Sequence, residues 1–114
     1  MTPPAPPSDA LTRLLGLGLR ARQVVVGVAS VRAGLRRGGL ACVVLAADAS
    51  ARTEDKVERL AVARGVPVLR GPAGERLGAA LGRPPVQAVG VSDRALARGL
   101  LGVHGGVSGN IADS

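Results

Sequence analysis

The chain has 114 residues, a length typical of one domain, and its 46% hydrophobic content excludes a disordered chain. It contains no Phe, Trp or Tyr, which excludes the RNA-recognition motifs and oligonucleotide-binding barrels that stack bases on aromatic rings. The net charge of +7 suggests a polyanionic partner. Any nucleic acid would therefore be bound through arginine, backbone groups and shape.

The positive charge is unevenly distributed along the sequence. No acidic residue lies between Asp9 and Asp48. The arginines in this interval are Arg13, Arg20, Arg22, Arg32, Arg36 and Arg37. The remaining chain is nearly balanced in charge. We therefore expect a polyanion to bind the basic interval.

Helices and strands are predicted to alternate. Residues 1–7 are expected to form a flexible leader, after which Ser8 or Asp9 can cap a helix. Apolar spacing and glycine stops predict helices over about 8–22, 28–37, 52–64, 75–81 and 93–100. Apolar and β-branched runs predict strands over 24–26, 40–47, 66–69 and 86–91. A Gly-rich disordered tail over 102–114 leaves one domain over 8–101. Such alternation is typical of a sheet between helical layers.

The first candidate site is the junction between the first strand and the second helix, at Gly27. A helix start presents unpaired N–H groups and the positive end of the dipole, which favour phosphate. Val28, Val31 and Leu35 share the predicted buried face of this helix. The opposite face carries Ala29, Ser30, Ala33, Arg36 and Arg37. It is either an RNA-binding surface or a solvated face that is basic.

The second candidate is the Gly- and Pro-containing loop from Arg70 to Gly74, which is either a binding loop or only a turn. A hydrolytic role for Asp48, Ser50 and Thr53 would need a histidine, and His104 lies in the Gly-rich tail. Turn and cap roles fit Asp48 and Ser50 better.

Several other classes of site are excluded by the sequence. It has no Cys/His cluster for zinc, no phosphate-binding P-loop signature and no apolar run of the ~20 residues that span a bilayer. Cys42 stands alone and is expected to be a small buried hydrophobe. We expect no cofactor, no membrane partner, no small-molecule substrate and no enzymatic activity, and a cytoplasmic location.

Five short motifs follow one another along the chain. They are LLGL at 14–17, RARQVVVG at 20–27, VLAADAS at 44–50, GVPV at 65–68 and LGAALG at 77–82. Their order and spacing over about residues 11–100 resemble the L7Ae ribosomal-protein superfamily, with its L30e and Gadd45 groups, and especially its bacterial YlxQ-type branch. The resemblance implies an α/β fold, a three-layer α/β/α sandwich with a four-stranded mixed sheet that binds kink-turn RNA.

In that family the start of the second helix enters the major groove at tandem sheared G·A pairs, and the loop before the fourth helix covers an extruded base. Kink-turn binders typically show Gly-x-Asn-Glu, with Lys three positions after the Glu. Gly27 matches the glycine, but Ala29, Ser30 and Ala33 stand at the Asn, Glu and Lys positions. Ala73 stands where the loop usually has Ser. Base readout is therefore reduced, whereas phosphate contacts remain.

The resemblance implies an RNA-binding site made of three parts. The groove-facing helix comprises Gly27, Val28, Ala29, Ser30, Ala33, Arg36 and Arg37; the capping loop comprises Leu69, Arg70, Gly71, Pro72 and Ala73; phosphate contacts come from Arg20 and Arg22. The expected partner is structured RNA, a kink-turn in ribosomal or riboswitch RNA, which would place the protein with the ribosome or translation machinery. The alternatives are a protein-interaction module that has lost kink-turn reading, as in Gadd-like relatives, and an accessory domain of an RNA methyltransferase, which would need a partner chain.

Overall fold

The computed structural model describes the backbone of residues 7–105 and the side chains of residues 10–103. The helices in this range are α1 Pro7–Arg20, α2 Val28–Arg37, α3 Ala51–Arg64, α4 Gly74–Ala80 and α5 Arg94–Gly105. The strands are β1 Val24–Val26, β2 Cys42–Leu45, β3 Val68–Arg70 and β4 Ala88–Val91. The predicted alternation of helices and strands is confirmed.

The strands form one four-stranded mixed sheet in the order β1-β4-β2-β3. Strand β2 is parallel to β3, whereas β4 is antiparallel to both β1 and β2. Strands β1, β2 and β3 therefore run in the same direction. We call the edge where they end and β4 begins the upper edge of the sheet, and the opposite edge the lower edge.

Two apolar clusters, one on each face of the sheet, make three layers. Leu15 of α1, Leu77 of α4 and Leu100 of α5 are fully buried in the first cluster. The second is formed by helices α2 and α3, and its fully buried side chains include Val31, Leu35, Val57 and Ala61. The α/β/α sandwich is thus confirmed, with a core of aliphatic side chains.

Caps and glycine stops explain where α2 and α3 begin and end. The Ser50 hydroxyl accepts a hydrogen bond from the Thr53 N–H at 3.1 Å, as predicted for the N-cap of α3. Gly38 and Gly65 adopt left-handed conformations directly after α2 and α3. Both glycine stops are confirmed.

The predicted ends of two helices were wrong. Helix α1 ends at Arg20, short of the predicted residue 22, and Arg22 has a positive φ of 60°. Helix α5 continues to Gly105, because Leu100 is buried in the core and Leu101 packs against it. The predicted tail therefore begins inside α5. The remainder of the tail over 106–114 and residues 1–6 of the predicted leader lie outside the described residues, as do the side chains of Ser8 and Asp9, whereas Pro7, the last residue of the predicted leader, is the first residue of α1.

Cys42 is fully buried at the start of the central strand β2, as predicted. Burial raises the pKa of its thiol to about 11. The thiol is therefore neutral at physiological pH and has no thiolate for nucleophilic chemistry. No helix within residues 7–105 has the length and apolar character needed to cross a bilayer.

Candidate nucleic-acid interface

Gly27 fixes the direction in which α2 leaves the upper edge. Its φ of 101° and ψ of 153° lie in a region that is essentially restricted to glycine. Its N–H donates to the carbonyl of Ala88 at 2.9 Å, and its carbonyl accepts from the N–H of Val31 at 3.0 Å. A Cβ atom here would meet nothing within 4 Å, so the requirement for glycine is conformational and not steric.

The two predicted faces of α2 are present. Val31 and Leu35 are buried, and Val28 is half-buried. On the other side Ala29, Ser30, Arg36 and Arg37 are exposed and Ala33 is half-buried. We call these five the α2 stripe. No side chain among the described residues caps the N-terminal end of α2, and its first turn contains no acidic residue. Small side chains at one end and arginines at the other leave the stripe open to an anion.

The loop before α4 is held to the sheet by its backbone. The Gly71 N–H donates to the Leu45 carbonyl at 2.7 Å, and the Pro72 carbonyl accepts from the Ala47 N–H at 3.0 Å. Leu69 and Pro72 are buried, so the side chains that this loop can offer to a partner are those of Arg70 and Ala73. The Leu69 side chain packs in the core, so its predicted place in the RNA-binding loop stays a prediction that would involve its backbone.

Arg70 is exposed, but its charge is already paired. Its guanidinium bonds to the carboxylate of Glu54 and lies 3.4 Å from that of Glu58, both on α3. These surface pairs are individually weak, yet they lower the local positive potential. The cation that the sequence places in the capping loop is therefore partly neutralised.

The upper edge brings together the start of α2 and the loop before α4. They follow β1 and β3, the two outer strands, so about three strand spacings, or ~14 Å, separate them. The segments between them are joined by hydrogen bonds. The Ala46 N–H donates to the Gln87 carbonyl at 2.9 Å, and the Ser50 N–H donates to the Gln87 side chain at 3.1 Å.

The other predicted site residues lie toward the lower edge. Arg20 is the last residue of α1, and Arg22 lies in the connection to β1, next to Gln23, whose carbonyl accepts from the Ser92 N–H at 2.9 Å. Arg36 and Arg37 are in the last turn of α2. A helix of this length spans ~15 Å, so these two arginines lie at the far end of the stripe from Gly27. The structure therefore does not bring the four arginines to the Gly27 corner.

Asp48 and Ser50 have structural roles at the upper edge. The Asp48 carboxylate accepts from the N–H of Gly74, the first residue of α4, at 2.8 Å. Ser50 caps α3 through its hydroxyl. The His104 side chain lies outside the described side chains. The turn and cap interpretation of Asp48 and Ser50 is thus confirmed.

We expect Asp48→Ala to lower the free energy of unfolding by about 1 kcal/mol, because the first N–H of α4 loses its acceptor. Urea unfolding measures the change. Asp55→Ala, which removes an exposed carboxylate paired with Arg59 at 3.1 Å, is the control and should cost about 0.5 kcal/mol or less. Equal effects of the two substitutions would contradict the capping role of Asp48.

Sequence reasoning missed a group of arginines at the lower edge. Arg64, Arg94 and Arg98 line an open cleft of about 330 Å³ beside Leu40 and Leu101. They are distant in sequence and lie in a part of the chain whose charge is nearly balanced overall. The sheet topology was the missing signal, because it places the end of α3 and the start of α5 at the same edge.

The Nε atom of Arg32, inside α2, is buried without a hydrogen-bond partner among the described residues.

Among the residues that the structure describes, no group of three or more His, Cys, Asp or Glu side chains could hold a metal ion.

The protein is thus an α/β/α sandwich. At its upper edge lie the uncapped start of α2 after Gly27 and the loop before α4, which is held by backbone hydrogen bonds. The sequence profile of the ribosomal protein L7Ae/L30e/S12e/Gadd45 family matches residues 9–99, and the chain belongs to this family.

Solved structures agree with this assignment. A Bacillus halodurans protein of unknown function is 30% identical with a TM-score of 0.78, over 82% of this chain and 94% of that chain. A 15.5 kD RNA-binding protein from Giardia lamblia is 22% identical with a TM-score of 0.72, over 89% of this chain and 87% of that chain, and it supports the fold. No curated protein gives a significant match.

Proposed function

We propose that the protein binds structured RNA, of the kink-turn type, through the start of α2, the α2 stripe and the loop before α4. The observation that carries this proposal is the Gly27 corner, an uncapped helix start that leads into an exposed, acid-free stripe ending in Arg36 and Arg37. Membership of the family and the RNA-binding name of the Giardia neighbour support RNA as the ligand.

The chemistry of the stripe favours contacts with the sugar–phosphate backbone. The first-turn N–H groups of α2 and the positive end of its dipole can receive a phosphate. Ala29 and Ala33 are small enough to let the helix enter a groove closely, and the Ser30 hydroxyl can bond to a base edge or a phosphate. Binding of this kind is strongly salt-dependent and reads shape more than sequence.

The role proposed here is binding and not catalysis. The target would be a kink-turn in ribosomal or riboswitch RNA, and the protein would then act in the cytoplasm with the translation machinery. The capping loop would contribute its backbone and Ala73, because Arg70 is held by Glu54 and Glu58.

The test is Arg36→Glu combined with Arg37→Glu, assayed by gel shift against a kink-turn RNA. For single strands, each phosphate contact contributes about 0.7 to the slope of log K against log salt, so losing one contact weakens binding about fivefold at about 0.1 M salt. The double variant should therefore bind at least about 25-fold more weakly. Lys56→Glu combined with Arg59→Glu, on exposed positions of α3, changes the net charge equally and is the control. Equal losses in the two double variants would remove the α2 stripe from the interface.

A second candidate is a protein-interaction module that keeps the fold. Two observations favour it: small side chains occupy the base-reading positions, and Arg70 is paired internally. Purification after nuclease treatment distinguishes the two candidates. If a protein partner stays bound through the α2 stripe after the nuclease has removed the RNA, the result favours the interaction module. If nothing stays bound once the RNA is removed, the result favours RNA binding.

A further inference from the structure

The cleft at the lower edge has a floor of aliphatic side chains and a rim of arginines. Its volume is about 330 Å³, and Leu40 and Leu101 contribute to the floor. The rim consists of Arg64 at the end of α3 and of Arg94 and Arg98 on α5, all of which are exposed. Arg94 and Arg98 are four positions apart and therefore lie on the same face of α5.

The cleft lies next to the end of α2. The Arg64 guanidinium donates to the carbonyl of Arg36 at 2.6 Å, which joins the end of α3 to the end of α2. Arg64 thus belongs to the rim of the cleft and also contacts the last turn of α2, which carries Arg36 and Arg37.

The charges on the rim are not neutralised locally. None of the three rim arginines forms an ion pair with any residue that the structure describes. The carboxylate nearest in sequence, that of Asp93, accepts a hydrogen bond from the Leu96 N–H at 2.8 Å. The paired carboxylates Glu54, Asp55 and Glu58 precede the last turn of α3 and do not line the cleft.

The stability of the helices explains only some of the arginines at the lower edge. Arginine in the last turn of a helix complements the negative end of the dipole, which accounts for Arg36, Arg37 and Arg64. Arg94, in contrast, is the first residue of α5, and Arg98 follows one turn later. A cation at a helix N-terminus is electrostatically unfavourable. Arg94 therefore opposes the stability of its own helix and Arg98 gains nothing from the dipole, so a role outside the fold accounts for both better.

We propose that the cleft of Arg64, Arg94 and Arg98 is a second RNA-binding site, which holds the phosphate backbone of a single-stranded segment. The guanidinium fork binds phosphate oxygens in pairs. The aliphatic side chains of the floor carry no hydrogen-bonding group that could read a base edge. The choice of RNA over another polyanion rests on the proposed function. With two sites, one protein contacts a folded RNA element at the α2 stripe and a flanking or separate strand at the cleft.

The experiment is fluorescence anisotropy of a short oligouridine with Arg94→Gln combined with Arg98→Gln. Loss of two phosphate contacts should weaken binding about 25-fold at about 0.1 M salt and reduce the slope of log K against log salt by about 1.4. The control is Lys56→Gln combined with Arg59→Gln, which removes the same charge from exposed positions of α3 and should have a much smaller effect. Thermal unfolding of the Arg94 and Arg98 variant should occur at an unchanged or higher temperature, because a cation leaves the N-terminal end of α5.

Two outcomes would overturn the second site. The first is an equal effect of the two double variants on oligouridine binding. The second is tight binding of oligoglutamate at the cleft that oligouridine does not displace, which would assign the cleft to an acidic protein. The proposed function is tested separately, because that experiment measures the affinity of the Arg36 and Arg37 variant for a kink-turn RNA and not the binding of oligouridine. The cleft variant should leave the preference for a kink-turn over a plain hairpin unchanged.

Discussion

Gly27→Ala is expected to weaken both the fold and RNA binding. A residue with a Cβ atom is strained at φ 101° and ψ 153°, which costs about 1–3 kcal/mol of the free energy of unfolding. A movement of the first turn of α2 can relieve this strain. Such a movement would displace the N–H groups to which the proposal assigns phosphate binding, so affinity for a kink-turn RNA should fall as well. Urea unfolding and gel shift measure the two effects.

Gly39→Ala is the matched control for this prediction. Gly39 lies in the exposed turn after α2, has no positive φ, and a Cβ atom there would have its nearest contact at 3.9 Å. We expect Gly39→Ala to leave stability and RNA affinity close to those of the wild type. If the two alanine variants behave alike, the backbone of the Gly27 corner does not determine either property.

Restoring the base-reading residues is expected to produce the largest gain in affinity. The triple variant Ala29→Asn, Ser30→Glu and Ala33→Lys introduces the residues that kink-turn binders of the family typically carry. Each good contact with a base edge contributes about 1–3 kcal/mol, so two new contacts should tighten kink-turn binding by about 30-fold or more. The net charge does not change, so a gain cannot arise from general attraction to RNA.

The measurement compares the triple variant with the wild type on a kink-turn and on a plain hairpin of equal length. The gain should appear on the kink-turn alone, because only that RNA presents sheared G·A pairs to the helix. Ala29 and Ser30 are exposed, so their replacements can be accommodated without repacking. A similar gain on both RNAs, or no gain on either, would show that α2 does not enter the groove as the resemblance implies.

The local structure of α2 could be predicted from the sequence because several signals agree there. Gly27 and Gly38 mark its two ends, and Val31 and Leu35 at helical spacing mark its buried face. Capping chemistry predicted the start of α3 in the same way, through Ser50. In these elements short-range preferences and tertiary packing favour the same conformation.

The electrostatics of the site could not be predicted from the sequence, because it depends on charged residues that are distant in the chain and close in space. Arg70 is isolated in its loop sequence, yet the fold places it against Glu54 and Glu58. Arg64 and Arg94 are far apart in the chain, yet the topology brings them to one cleft. The end of α5 was missed for a similar reason, since glycines suggested a tail whereas packing of Leu101 extends the helix.

The most direct test of the account is the affinity of the wild-type protein for a kink-turn RNA and for a duplex of the same length that lacks the G·A pairs, measured at several salt concentrations. The proposal predicts tighter binding of the kink-turn at every salt concentration, with both affinities falling steeply as salt rises. Equal affinities for the two RNAs across the salt series would contradict it.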